Sequence, residues 1–470
     1  MGVGISDWRL AKTVSQLGQL GVVSGVGLNR LLVSRLMNGD LQGNFRRALS
    51  HFPLQEPVQR ILERYYVEGG KAPDAPFRNP PPYTFNPSKS LDESTVIAGF
   101  AEIFLAKEGH NGPVGINLLE KMQFPTMAIL YGAMLAGVDC VLMGAGIPFQ
   151  IPGIVDRLSR HQAVSYRIDV IGAAPDDDYR LHFDPELIFP GISESVGPLN
   201  RPNFLPIISM VVLAQALLKR SEGRIDGFVI EGPTAGGHNA PPRGQVKLSD
   251  IGEPLYGKKD EVDLEKIKSL GLPIWLAGGY SSPEQLSYAL EQGAAGIQVG
   301  TPFAFCDESG MDPKLKKAVL QKVLAGNAQV FTDPVASPTG FPFKVVMLEG
   351  SLNDQAVYDA RPRLCDLGGL RLVYKRPDGK LGYRCSSEPV EDYVRKGGQA
   401  EDTVDRVCLC NALAATAGFP QTRKDGYREM PLVTSGNDLV NIGHLVRPES
   451  LSYCAKDVIN YLIGGLKSGL

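Results

Sequence analysis

The run Ile274-Trp-Leu-Ala-Gly-Gly-Tyr280, the helix-period segment Pro283 to Leu290 and the run Gly296-Ile-Gln-Val-Gly-Thr301 decide the fold. Each apolar run is short enough to be a strand and ends on glycine, and one helix separates the two. Ala277-Gly278-Gly279 and Val299-Gly300-Thr301 can therefore aim backbone N–H groups at one point. The phosphate site after strands seven and eight of a (β/α)8 barrel is built in this way.

Working outward, similar runs recur at Leu20 to Ser24, Val114 to Leu118, Val138 to Met143, Leu205 to Ser209 and Phe228 to Glu231. Helix-period segments such as Val211 to Arg220 follow most of them. Near-continuous apolar strands alternating with amphipathic helices describe a parallel sheet buried on both faces. The fold class expected is α/β, a (β/α)8 TIM barrel. Seven strands are found where eight are needed. The expectation is that the first lies upstream of Met1 or that another segment takes its place. A helix from Ser6 to Leu17, capped by Ser6, opens the chain.

Three segments stand outside the repeat. The stretch 38–112 is read as an insertion after strand two that caps the barrel. It carries a helical piece at Val58 to Tyr65 and six prolines between Lys71 and Ser90. An inserted hairpin before strand five is expected within 163–200, from Val164 to Ile171 and Tyr179 to His182. Residues 346–470 form a mainly helical extension, with pieces at Thr403 to Ala417 and Leu451 to Leu466, beyond a barrel spanning 1–345.

A formal net charge of −3 without a basic block argues against nucleic-acid or anionic-membrane partners. The most membrane-like stretch, Met127 to Val138, falls short of the roughly 20 residues a spanning helix needs. It reads as a buried helix running into a buried strand. The start carries Asp7, Arg9 and Lys12, without the order of a secretory signal, and the seven cysteines are an odd number. A reducing cytoplasm is the expected setting. Cys365, Cys385, Cys408 and Cys410 are separated by 19, 22 and one residue, without the paired spacing of zinc ribbons. They are read as thiols, with no metal. His51, His110, His161, His182 and His444 share no ligand spacing and are read as structural.

The chemistry concentrates in Glu231-Gly-Pro-Thr-Ala-Gly-Gly-His238-Asn-Ala-Pro-Pro-Arg243, which begins at a strand's C-terminal end. Gly236 and Gly237 allow close backbone approach and positive φ. The histidine they present has an ordinary pKa of about 6.5, suited to proton transfer. A glycine-rich turn with an incidental histidine is the alternative.

Met1-Gly-Val-Gly, Gly-Ile-Asn117, Thr-Ala-Gly-Gly-His238, Leu-Ala-Gly-Gly279, Gln298-Val-Gly-Thr301 and Ser337-Pro-Thr-Gly-Phe-Pro-Phe343 together resemble the nitronate monooxygenase (2-nitropropane dioxygenase) family. The FMN-dependent enoyl-acyl-carrier-protein reductases of type II and the synthase-associated enoyl reductases share the pattern. The resemblance covers about residues 1–345 and implies a barrel binding FMN without a covalent link. It implies that Gly278, Gly279, Gly300 and Thr301 hold the FMN phosphate, Thr301 having helix capping as its alternative. It also implies that Met1 and Gly2 lie along the flavin ring, that Asn117 is one of its hydrogen-bond donors, a polar strand end being the alternative, that Gly236 and Gly237 line it, and that His238 is catalytic. Many family members carry a lysine near the end of strand five, where this chain has Ser209-Met210.

The resemblance implies first an enzyme that oxidises nitronates with molecular oxygen to a carbonyl compound and nitrite. The alternative is an NAD(P)H-dependent enoyl-thioester reductase whose insertion and extension dock an acyl carrier protein. A non-catalytic FMN-binding barrel is the third.

Overall fold

Gly21–Ser24 (β1), Val114–Leu119 (β2), Cys140–Gly144 (β3), Asn203–Ile208 (β4), Phe228–Glu231 (β5), Ile274–Ala277 (β6) and Gly296–Gln298 (β7) form one sheet in the computed structural model, which describes residues 2–465. Each strand pairs in parallel with its neighbour in chain order, from β1 to β7. That is the order of a (β/α)8 barrel. No strand among the described residues joins β7 back to β1, so the curled sheet is open at that position. The apolar runs form strands because helices cover their outer face and side chains of opposing strands fill the inside.

The outer edge of β1 is capped by the N-terminal segment. Ser6 Oγ donates to the Val22 carbonyl at 2.6 Å, and the Ser6 carbonyl accepts from Ser24 N at 2.8 Å. Ser6 is thus committed to the strand edge and does not cap the first helix, as the sequence had suggested. That helix, Trp8–Gln16, is capped by Asp7, whose carboxylate accepts from Arg9 N. Asp7 also meets Arg35, which pairs with buried Glu102 of the helix Lys89–Lys107. Burial pushes the Glu102 carboxyl up, and the Arg35 guanidinium opposes that shift.

The segment 38–112 divides in two. Helices Asn44–Ser50 and Gln55–Tyr65 and a proline-rich loop lie outside the repeat, whereas Lys89–Lys107 is the crossover from β1 to β2. This crossover packs on Thr126–Leu135, which leads into buried β3. No helix among the described residues is long and apolar enough to cross a membrane. The two helices touch through backbone: a Cβ on Gly132 would lie 1.9 Å from the Val96 carbonyl oxygen.

Val164–Arg167 and Arg180–Phe183 pair antiparallel as the expected hairpin, and Val170–Ile171 adds a parallel edge to Leu372–Lys375. The extension carries the helices Gln355–Ala360, Val390–Arg395, Leu409–Thr416 and Ala455–Gly464. The two longer pieces expected from the sequence are thus shorter. It also holds the proline-rich loop: Gln421 bonds both the N–H and the carbonyl of Phe77, Arg371 donates to the Tyr83 carbonyl, and the Tyr383 hydroxyl accepts from Phe85 N. Residues from opposite ends of the chain thereby form one wall.

Gly132→Val is expected to lower unfolding stability by about 3 kcal/mol or prevent folding, because neither backbone can yield. Urea denaturation checks this; an unchanged midpoint would contradict the helix contact.

Candidate active site

The C-terminal ends of the strands open into a cavity of about 740 Å³. It is lined by Gly2, Asn117, Gly236, Gly237, His238, Gly278, Gly279, Gly300 and Thr301, so the structure brings these expected residues together around one space. Met1 lies outside the described residues.

His238 is positioned by pairing rather than by its own loop. Gly237–His238 is a two-residue strand that pairs antiparallel with Phe343–Val346, His238 opposite Phe343. Its Nε2 lies 2.7 Å from Ser337 Oγ, which lies 2.7 Å from Thr339 Oγ1. The Phe343 ring lies edge-on to the imidazole, with centroids 4.7 Å apart and planes at 69°. Nδ1 makes no hydrogen bond to the described residues. Burial pulls the imidazole down to about 3, so it is neutral at physiological pH. Glu231, at the end of β5 on the same cavity, is pushed up to about 7 by burial.

Two loops present unpaired backbone donors to the cavity, the arrangement an anion cradle needs. The N–H groups of Gly279, Gly300 and Thr301 make no hydrogen bond to the described residues. A Cβ on Gly300 would meet nothing within 4 Å. Gly278 and Gly279 have φ of 81° and 79°, which L side chains rarely adopt. The Thr301 hydroxyl accepts from Gly436 N at 2.9 Å and keeps its own proton to donate. Asn117 is 7% exposed, and its carboxamide, facing the cavity, makes no hydrogen bond within the described residues. A phosphate-bearing ring with polar edges fits this donor set.

Gly236 and Gly237 serve different needs. Gly237 has a φ of 76°, whereas a Cβ on Gly236 would lie 2.6 Å from the Ser435 carbonyl carbon. The close approach at Gly236 is to the extension. At the end of β4 the Ser209 carbonyl accepts from Arg243 Nη2 at 2.6 Å, bringing a guanidinium there. Among the described residues the seven cysteines are free, and no group of three His, Cys, Asp or Glu side chains is arranged to hold a metal.

Sequence reasoning gave no partner for His238 and no role to Lys344 or the segment Thr434–Asp438. The Ser337 motif was visible, but nothing local tied it to a histidine 99 residues earlier.

Residues 200–336 match the nitronate monooxygenase family model. The 5-hydroxy-7a-methyl-1-oxo-octahydro-1H-indene-4-carboxyl-CoA dehydrogenase of Mycobacterium tuberculosis is 27% identical over 143 residues, 30% of this chain and 36% of the relative. A probable nitronate monooxygenase of Bacillus subtilis is 34% identical over 107 residues, 23% of this chain and 29% of the relative. The chain thus spans about a third of the length of these curated relatives. A nitroalkane oxidase structure from Streptomyces ansochromogenes aligns with a TM-score of 0.48 at 14% identity, covering 100% of this chain and 94% of the other.

Because the folded pKa of His238 lies below the unfolded value of about 6.5, the ring costs stability as pH falls from 6.5 toward 3. His238→Gln is expected to flatten the loss of stability between pH 6 and 4, read by urea unfolding across that range. Ring signals in NMR should show His238 neutral at pH 5; a midpoint near 6.5 would contradict the burial argument.

Proposed function

We propose, on the premise that residues 200–336 belong to the nitronate monooxygenase family, that this protein is a flavin-dependent oxidoreductase that oxidises nitronates with molecular oxygen to a carbonyl compound and nitrite. The observation that carries it is His238, held through Nε2 by Ser337, on the same cavity as the unpaired donors of Gly279, Gly300 and Thr301.

FMN, bound without a covalent link, supplies the acceptance of electrons from substrate and their passage to oxygen. Gly279, Gly300 and Thr301 would hold its phosphate, and Asn117 would donate to the ring edge. In the tautomer in which Ser337 donates to Nε2, the proton of the neutral imidazole sits on Nδ1, free to donate to a nitro oxygen of the substrate anion. An imidazole whose pKa is about 3 is a weak base for removing an α-proton. The site therefore favours a substrate that arrives as the nitronate over the neutral nitroalkane.

A second reading, an NAD(P)H-dependent enoyl-thioester reductase, is favoured by the shape of the cavity. Beyond the polar end it reaches Val14, Leu286 and Leu462, and Pro80 to Tyr83 lie on its wall. An acyl chain fits such a lining, and an acyl carrier protein is the donor proposed for it.

Anaerobic addition of propyl-2-nitronate to the FMN-loaded protein is expected to bleach the flavin bands, with NADPH and NADH leaving them unchanged. Bleaching by a nicotinamide alone would replace the first reading with the second. His238→Ala should keep FMN and lose turnover by about 100-fold; an unchanged rate would remove His238 from the chemistry. Gly300→Val, whose Cβ would meet no atom within 4 Å, should leave thermal unfolding little changed and abolish FMN binding. Full flavin occupancy in that variant would contradict the phosphate assignment.

A further inference from the structure

The extension contributes a strap to the polar end of the cavity. Thr434, Ser435, Gly436 and Asp438 lie on its wall. Gly436 N donates to Thr301 Oγ1 at 2.9 Å, and Asn437 N donates to the Thr234 carbonyl at 3.0 Å. One side chain ties this strap to the loop after β5. Lys344 is 3% exposed, and its Nζ donates to the Pro233 carbonyl at 2.9 Å and to Asn437 Oδ1 at 2.6 Å. Both acceptors are neutral, and Lys344 forms no ion pair within 4.0 Å among the described residues. A buried ammonium without a contacting anion is costly, so its retention between this strap and the loop after β5 calls for a reason.

We propose that Lys344 is a positioning residue for the phosphate of FMN: it latches the strap Thr434–Asp438 to Pro233, and the ammonium, as the stronger donor, holds that latch closed. The latch sets Gly436 against Thr301, and through Thr301 it fixes the loop from which Gly300 and Thr301 meet the phosphate. The proposal rests on the FMN reading above. The charged groups facing Lys344 are Glu253, from the loop after the short strand Gly237–His238, and Asp438 of the strap, both of which favour its charged form. Burial outweighs them and lowers the ammonium to about 8. In the free protein the charge is therefore present below pH 8 and lost above it.

The test is the FMN dissociation constant, read by flavin fluorescence from pH 7 to 9, for the full chain and two variants, with thermal unfolding as a control. The unsubstituted protein is expected to bind FMN several-fold more weakly at pH 9 than at pH 7. Lys344→Met should bind at least tenfold more weakly at pH 7 and lose the pH dependence. Asn437→Ala, at an exposed position, should weaken binding several-fold while keeping the pH dependence, in a protein that thermal unfolding shows to be folded. If both variants bind FMN like the unsubstituted protein, with the same pH slope, the latch is overturned and the FMN reading stands. If Lys344→Met does not fold, unchanged affinity in Asn437→Ala alone overturns the latch. Failure of the unsubstituted protein to bind FMN overturns both.

Discussion

The antiparallel seat of Phe343–Val346 between Val330–Asp333 and Gly237–His238 is the contact on which the rest of the site depends. It turns a glycine-rich loop into a strand, and so gives His238 a fixed backbone. The same strand carries Phe343 against the imidazole and Lys344 against the loop carbonyl of Pro233. Val346 N continues the path by donating to the Val433 carbonyl, which brings the strap alongside. A loop with Gly232, Gly236 and Gly237 would otherwise sample many conformations. Pairing removes that freedom before any ligand arrives.

The extension is thus part of the site. Its strap meets Thr234 and Thr301, its residues Gln421, Arg371 and Tyr383 hold the proline-rich loop, and its last helix packs on Trp8–Gln16 and Pro283–Glu291. The sheet stays open between β7 and β1. Ser6 satisfies part of the β1 edge there, through one side-chain and one backbone hydrogen bond.

What could be seen in the sequence follows from what is local. The seven strands were legible because burial on both faces leaves unbroken apolar runs, and the two loops after β6 and β7 were legible because both carry glycine. The first helix start was misplaced by one residue, since Ser6 and Asp7 are both good caps and only the tertiary contact of Ser6 with Val22 separates them. Ser337 beside His238, Gly436 beside Thr301 and Lys344 between Pro233 and Asn437 join residues roughly 90 to 140 positions apart. No periodicity encodes such pairs; they arise from sheet register and from the path of the extension. The need for glycine at 236 shows the same limit, because the backbone that crowds it belongs to Ser435 and Gly436.

The central claim is that the unpaired N–H groups after β6 and β7 receive the phosphate of FMN. Amide hydrogen exchange with and without FMN tests it most directly. The account predicts slowed exchange at Gly278 to Tyr280 and at Gly300 to Thr301 when FMN is present. Flavin binding that leaves exchange at both loops unchanged would contradict it.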